Sequence, residues 1–174
     1  NDDEDRVIKY EYTDGLKTKY IADMPSGQSD QTTTYTYAAT TSNNSAFFAN
    51  RLLTEIEYPD SGGASDVVSI GYNAQGQVIY IEDQAGNVVQ TEYDTAGQRT
   101  ARRVTTLATG FDGAVRAIRT AYDNGLVSTV TQYDDASSTS SGDVVDQVVG
   151  DLVRTVAGCS DLLQDHLALA LELL

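Results

Sequence analysis

The chain has 174 residues, with 11 Lys and Arg against 26 Asp and Glu. The resulting formal charge of −15 disfavours nucleic acid and anionic membrane surfaces as partners, because affinity for either comes from neutralising phosphates. A lone cysteine, Cys159, excludes an internal disulfide and a cysteine-based zinc site, and the apolar run LALALELL at 167–174 is too short to span a bilayer.

The chain opens on an acidic tail, residues 1–5, with Asn1 in place of Met and no basic segment leading into an apolar one. This start reads as that of an internal piece of a longer protein, with any signal peptide absent or removed. From residue 6 to 135 the dominant feature is a tyrosine that precedes turn residues, at Tyr12, Tyr37, Tyr58, Tyr72, Tyr93, Tyr122 and Tyr133. Two residues before these stand Tyr10, Tyr35, Ile56, Ile70, Thr91, Thr120 and Thr131, and four before stand Ile8, Thr33, Thr54, Val68, Val89, Ile118 and Thr129. Every one of these preceding residues is β-branched or aromatic. Alternate side chains share a face of a strand, so the pattern predicts seven strands, each ending its stripe on a tyrosine.

Asp or Asn follows these tyrosines and Gly comes a few residues later, as in Gly15, Gly76, Gly86-Asn87, Asp94 with Gly97, and Asp123 with Gly125. Asp and Asn cap backbone N–H groups two residues on, and Gly takes the left-handed conformation, so each unit predicts a strand reversal. Residues 25–31, 39–50 and the stretch around TTLATGFDG at 105–113 read as longer insertions. The Ser-rich run 136–142 reads as a linker. Beyond it, Val144, Val145, Val148, Val149, Leu152, Val153 and Val156 fall at helical spacing. Residues 143–174 are therefore expected to be helical, against the drawback that β-branching disfavours helix.

Tyr72 to Tyr93 and Tyr37 to Tyr58 are both 21 residues apart, two strands and two turns per repeat. With that period, YNAQGQVIYIEDQAGNVVQTEYDTAGQRT at 72–100 resembles the tyrosine-aspartate (YD, or RHS) repeat, in which Tyr-Asp, two residues and Gly-Arg open each strand. Gln77 and Gln98 stand where that family has Arg, and Asn73 stands for its Asp. The resemblance implies an all-β, antiparallel hairpin array forming a curved or spiralling sheet. It also implies a structural role in a secreted or cell-surface, bacterial protein, whose partners are neighbouring repeats of the same chain and, in toxins, an encapsulated effector. Pro occurs only at 25 and 59, so the family's Asp-Pro-x-Gly core motif is missing, and no autoproteolytic or effector role carries over.

Other chemistry is thinly supported. His166 is the single histidine, set among leucines, and offers no constellation for nucleophilic catalysis. Glu55 and Glu57 share a strand face and make a candidate glycosidase pair, but among 26 acids such pairs arise by chance. The turns at 58–66 and 122–125 hold Asp and Asn without the ligand spacing of a calcium loop, and turn formation accounts for them better. The glycine-rich spots open no helix and carry no Lys for phosphate. The chain is expected to hold no metal or cofactor and to catalyse nothing. Glycan binding through turn tyrosines and asparagines is the alternative to the architectural role, and hydrolysis by Glu55 and Glu57 comes third.

Overall fold

The structure, a computed structural model, describes residues 7–25, 27–59, 67–137 and 144–149. These form one open sheet of 11 antiparallel strands whose spatial order is their order in the chain. The strands are β1 (Ile8–Thr13), β2 (Leu16–Ala22), β3 (Gln31–Ala39), β4 (Ala49–Glu57), β5 (Val67–Tyr72) and β6 (Val78–Glu82), followed by β7 (Val88–Tyr93), β8 (Arg99–Thr106), β9 (Ala117–Asp123), β10 (Leu126–Tyr133) and β11 (Val144–Val149). The only helix among the described residues is a single 3-10 turn, Thr41–Asn43. The period-two stripes predict seven strands, and these are β1, β3, β4, β5, β7, β9 and β10. The other four carry no terminal tyrosine to mark them.

Residues opposite one another in an antiparallel register share a face. The pairs Tyr10 with Tyr20, Tyr20 with Thr33, Tyr35 with Ile56, and Ile56 with Val68 link the stripes of β1, β3, β4 and β5 on one face. Ile70 with Ile81, Ile81 with Val89, Thr91 with Arg102 and Arg102 with Ile118 extend that face through β7 to β9. Six stripes thus share what we call the tyrosine face. The seventh does not: Thr129, Thr131 and Tyr133 pair with Ala121, Arg119 and Ala117, which lie on the opposite face. Ser128 causes this reversal, since the register slips by one between Val127 and Thr129, and one extra residue turns every later side chain to the other side.

Val144–Val149 corrects the expectation of a helix after the linker: it is a strand, paired antiparallel with β10 from Thr129–Val149 to Tyr133–Val144. Four valines in six residues restrict side-chain rotamers in a helix but fit a pleated surface, and β10 offers an edge whose backbone groups need partners. The helical spacing runs on to Val156, and only its first six residues, Val144–Val149, are described. The remainder of the expected helical segment, with His166 and Cys159, lies outside the described residues, as do the acidic tail and most of the 58–66 turn.

Burial concentrates in the middle of the sheet, where Tyr72, Val88, Val89, Asn87 and Ala101 are buried, whereas all six residues of β1 are exposed. Two connections fold back over the face opposite the tyrosines. The 40–48 loop, held by a capping box at Thr40 and a left-handed Asn44 (φ 60°), lies on Gly71, where a Cβ would come within 2.5 Å of the Asn44 carbonyl oxygen. The 134–137 segment accepts hydrogen bonds at the carbonyls of Ala136 and Ser137 from Arg103 and Arg119, so the first residues of the expected linker are docked on the sheet.

Candidate functional site

Because successive strands alternate in direction, the ends of β1, β3, β5, β7 and β9 fall along one edge of the sheet, together with the turns that follow them. This turn edge holds most of the residues singled out from the sequence. Besides the 40–48 loop, its turns are of two kinds. Asp14-Gly15 and Asn124-Gly125 are two-residue reversals with both residues at positive φ (51° and 77°, 49° and 80°), the geometry that matches the twist of paired strands. The turns opened by Asn73 and Asp94 are longer. In each, the side-chain Oδ1 accepts the N–H groups two and four residues on, at 3.1 and 2.9 Å for Asn73 and 2.9 and 2.8 Å for Asp94. Gly76 and Gly97 then take φ of 78° and 81°. Asp83 builds the same turn at the opposite edge, with Gly86 at φ 83° and bonds of 2.9 and 2.8 Å to the N–H groups of Ala85 and Asn87. Two of these three turns thus rest on carboxylates and one on a neutral amide, so hydrogen-bond acceptance rather than charge builds them.

The terminal tyrosines recur in a second way. The hydroxyl of Tyr37 donates to the carbonyl of Lys17 at 3.0 Å, Tyr72 to Leu53 at 2.6 Å, Tyr93 to Val78 at 3.1 Å and Tyr122 to Arg99 at 2.9 Å. In every case the acceptor lies on the preceding strand, which belongs to the previous hairpin. The acceptor also sits one residue inward of the position facing the tyrosine in the ladder. At this edge nothing covalent joins one hairpin to the one before, so each tyrosine closes the open junction, contributing about 1 kcal/mol per bond. Tyr12 lies one residue before the end of β1 and is 63 % exposed, and among the described residues it has no preceding strand and makes no hydroxyl bond. Tyr58 and Tyr133 lie at the other edge, so the seven tyrosines are not one functional row.

Gln77 and Gln98, each directly after a turn glycine, form a further set of links. Gln77 Nε2 donates to the carbonyl of Gly97 and Gln98 Nε2 to that of Gly125, both at 3.0 Å. Each turn is thereby tied to the next along the edge. The sequence signal was present, a Gln directly after the turn glycine in both repeats, but nothing local says that its partner is 20 or 27 residues away.

Asn87 joins two connections through its side chain. It is 2 % exposed, its Nδ2 donates to Asp83 Oδ2 at 2.8 Å, and its Oδ1 accepts the N–H of Ala108 at 2.7 Å, pinning the 107–116 loop to the Asp83 turn. On the face opposite the tyrosines, Arg103 bonds Glu92 at 2.6 Å, Gln90 at 3.3 Å and the Ala136 carbonyl at 3.0 Å. It borders an open groove of about 340 Å³ lined also by Asn44, Ile79, Tyr80 and Thr91. Burial pushes the Tyr80 hydroxyl up to about 12, aided by its 2.7 Å bond to the Glu82 carboxylate, which disfavours a second negative charge beside it. Burial also raises the Tyr72 hydroxyl and lowers Arg102, the latter with help from the Arg99 charge.

The other chemical candidates stand as follows. Glu55 and Glu57 do share a face, opposite Ser69 and Val67, which puts them away from the tyrosine face. Asp123 accepts a 3.1 Å bond from the Asn124 side chain, a contact within one turn. Among the described residues no group of three or more His, Cys, Asp or Glu side chains converges as metal ligands, and no helix is long and apolar enough to cross a membrane. The chain matches no protein-family model and no curated protein sequence.

Proposed function

We propose that the chain is an architectural element, a segment of a secreted or cell-surface scaffold built from YD-type repeats. The observation that carries this reading is the recurrence of one device. Four tyrosine hydroxyls, each at or within two residues of the end of an odd-numbered strand, reach back to a backbone carbonyl one step inward on the previous hairpin. The two turn glutamines repeat the same logic between neighbouring turns. Side chains that recur with the repeat are engaged in joining one repeat to the next, which suits a modular wall whose length is set by the number of units. In such a wall the sheet continues through neighbouring repeats, curving into a shell or stalk.

A second reading is favoured by the exposed aromatic side chains beside the connections, with Phe48 at 74 %, Phe111 at 50 %, Tyr12 at 63 % and Tyr58 at 41 %. Apolar rings of this kind stack on sugars, which makes glycan recognition the alternative. A glycan array probed with the full chain separates the two. The scaffold reading expects no retained glycan. A specific glycan whose binding disappears on replacing Phe48 or Tyr58 with Ser, in a protein that keeps its circular dichroism, overturns it in favour of recognition.

A further inference from the structure

We propose that the outer edge of β1 pairs antiparallel with the same edge of a second copy of the chain, about a two-fold axis through Tyr10. The inference names a partner for one of the joining edges in the scaffold reading.

The backbone of β1 is in the right phase. The N–H of Asp23 donates to the carbonyl of Val7, and the two-residue Asp14-Gly15 turn brackets the pair Thr13 with Leu16. Antiparallel strands alternate between bonded and non-bonded pairs, so Val7, Lys9, Glu11 and Thr13 face β2 with their backbone groups. The N–H and C=O groups of Ile8, Tyr10 and Tyr12 therefore point away from the sheet, along an edge where all six residues of the strand are exposed. Two such edges related by a dyad through Tyr10 exchange Tyr10 N–H and C=O with each other and those of Ile8 with those of Tyr12.

The side chains select that register. In V-I-K-Y-E-Y-T, residues 7–13, pairing about Tyr10 places Lys9 opposite Glu11 of the second copy twice, and Ile8 opposite Tyr12 of the second copy twice. A slip of two residues in one direction puts Lys9 against Lys9, and in the other Glu11 against Glu11, so the competing registers set like charges face to face. Within one copy, Lys9 bonds Asp23 at 2.6 Å and Lys19 bonds Glu11 at 3.0 Å. Joining the edges turns these pairs into one alternating row, Asp23, Lys9, Glu11 and Lys19, that runs across both copies. On the tyrosine face, Tyr10 meets Tyr20 edge-on at 5.6 Å between ring centres, and the dyad extends this into a row of four rings.

Charge also points to this edge. Two chains of −15 repel, but the chain's only lysines, at 9, 17 and 19, all lie on β1 and β2. Counting Lys9, Lys17 and Lys19 against Glu11 and Asp14, the hairpin from 7 to 22 has a net charge of +1. The other edge, β11, presents Asp146 and no cation. With Asp23 included the described hairpin is neutral, less negative than the β11 edge.

Sedimentation velocity of the full chain over a concentration series, at low salt, reads the mass against the 18.7 kDa of one copy. A reversible species of twice that mass is expected. Tyr10→Pro deletes an N–H that faces outward, leaves the ladder to β2 intact, and should abolish the dimer. Glu11→Lys and Lys9→Glu should each weaken dimerisation at least tenfold, and an equimolar mixture of the two should restore it, because each then meets an opposite charge at both positions. A wild-type chain that stays monomeric throughout overturns the proposal. So does a dimer that survives Tyr10→Pro, or a charge-swapped pair that fails to recover when both variants are folded by circular dichroism. None of these results bears on glycan binding, so failure here is distinguishable from failure of the scaffold reading.

Discussion

The hairpin of β1 and β2 and the central block of β5 to β8 both end a strand near a tyrosine and reverse on a turn that holds Asp or Asn and a left-handed Gly, yet they differ in what their residues bury. Tyr12 and Tyr72 occupy the same place in the repeat, at the end of an odd strand just before a turn opened by Asp or Asn. Tyr12 is 63 % exposed and Tyr72 is 7 % exposed with a 2.6 Å bond to Leu53. The difference is a neighbour: Tyr72 has β4 on the side its hydroxyl faces, and among the described residues Tyr12 has no strand there. Turn chemistry makes a hairpin, while burial and latching come only from the hairpin before it. In a single sheet each strand is stabilised by its two neighbours, so the ends of the array are weak for a geometric reason rather than a compositional one.

The largest test of this contrast is a matched pair of substitutions. Tyr72→Ser removes a buried ring and a hydrogen bond and should cost about 3–4 kcal/mol in urea unfolding, whereas Tyr12→Ser should cost less than about 0.5 kcal/mol. Equal losses would mean that the two positions are not distinguished by their neighbours. Next in size is Asn87→Ala, expected to cost about 2 kcal/mol because it strips the half-buried Ala108 N–H and the Asp83 Oδ2 of the partner each has in Asn87. Amide exchange should then accelerate in the 107–116 loop as well as at the Asp83 turn; a response confined to the turn would break the link between them. Gln98→Ala sits lower, at about 0.5 kcal/mol, since its bond to Gly125 is exposed. Its effect should vanish in a protein already carrying Tyr122→Phe only if the two links act as a unit, which a double-mutant cycle reads directly.

A pH-dependent effect again belongs to the central block. The Tyr80 hydroxyl titrates near 10.0 when unfolded and at about 12 in the sheet. A group whose folded value is raised holds its proton more tightly when folded, so its contribution is intact below pH 10 and is lost as pH rises to about 12. Tyr80→Phe should flatten the fall in stability across that window, followed by urea midpoints at fixed pH. An unchanged slope would show that Tyr80 is not the group responsible. The Lys9–Asp23 pair at the β1 edge behaves oppositely at acid pH. Its bond to Lys9 holds the Asp23 carboxyl below its ordinary range, so what it contributes is lost as pH falls.

Much of this organisation was legible before any coordinates. The β-branched stripes ending on tyrosine located seven strands, and Asp or Asn followed by Gly located the joints, because both depend on contacts within a few residues. Arg103 and Arg116 carried no such signal. Arg103 reaches Ala136, 33 residues on, and Arg116 returns to the Val104 carbonyl at 2.7 Å, choices made by the path of loops rather than by any pattern. The apolar residues from Val144 to Val156 fall at helical spacing, but the first six positions, Val144–Val149, are mostly valine and lie beside the open edge of β10, where a strand forms instead.

By itself, then, the sequence determined the all-β character, the position of the turns and the side of each strand on which its stripe lies, all consequences of backbone preference and period-two geometry. Only the tertiary structure decided which stripes share a face. The single extra residue at Ser128 turns the β10 stripe away from the other six, a parity that no stripe encodes. Tertiary structure also decided which tyrosines are latches, because a hydroxyl needs a carbonyl on a neighbouring strand, and whether that strand is present depends on a residue's place in the array rather than on its own neighbours in sequence.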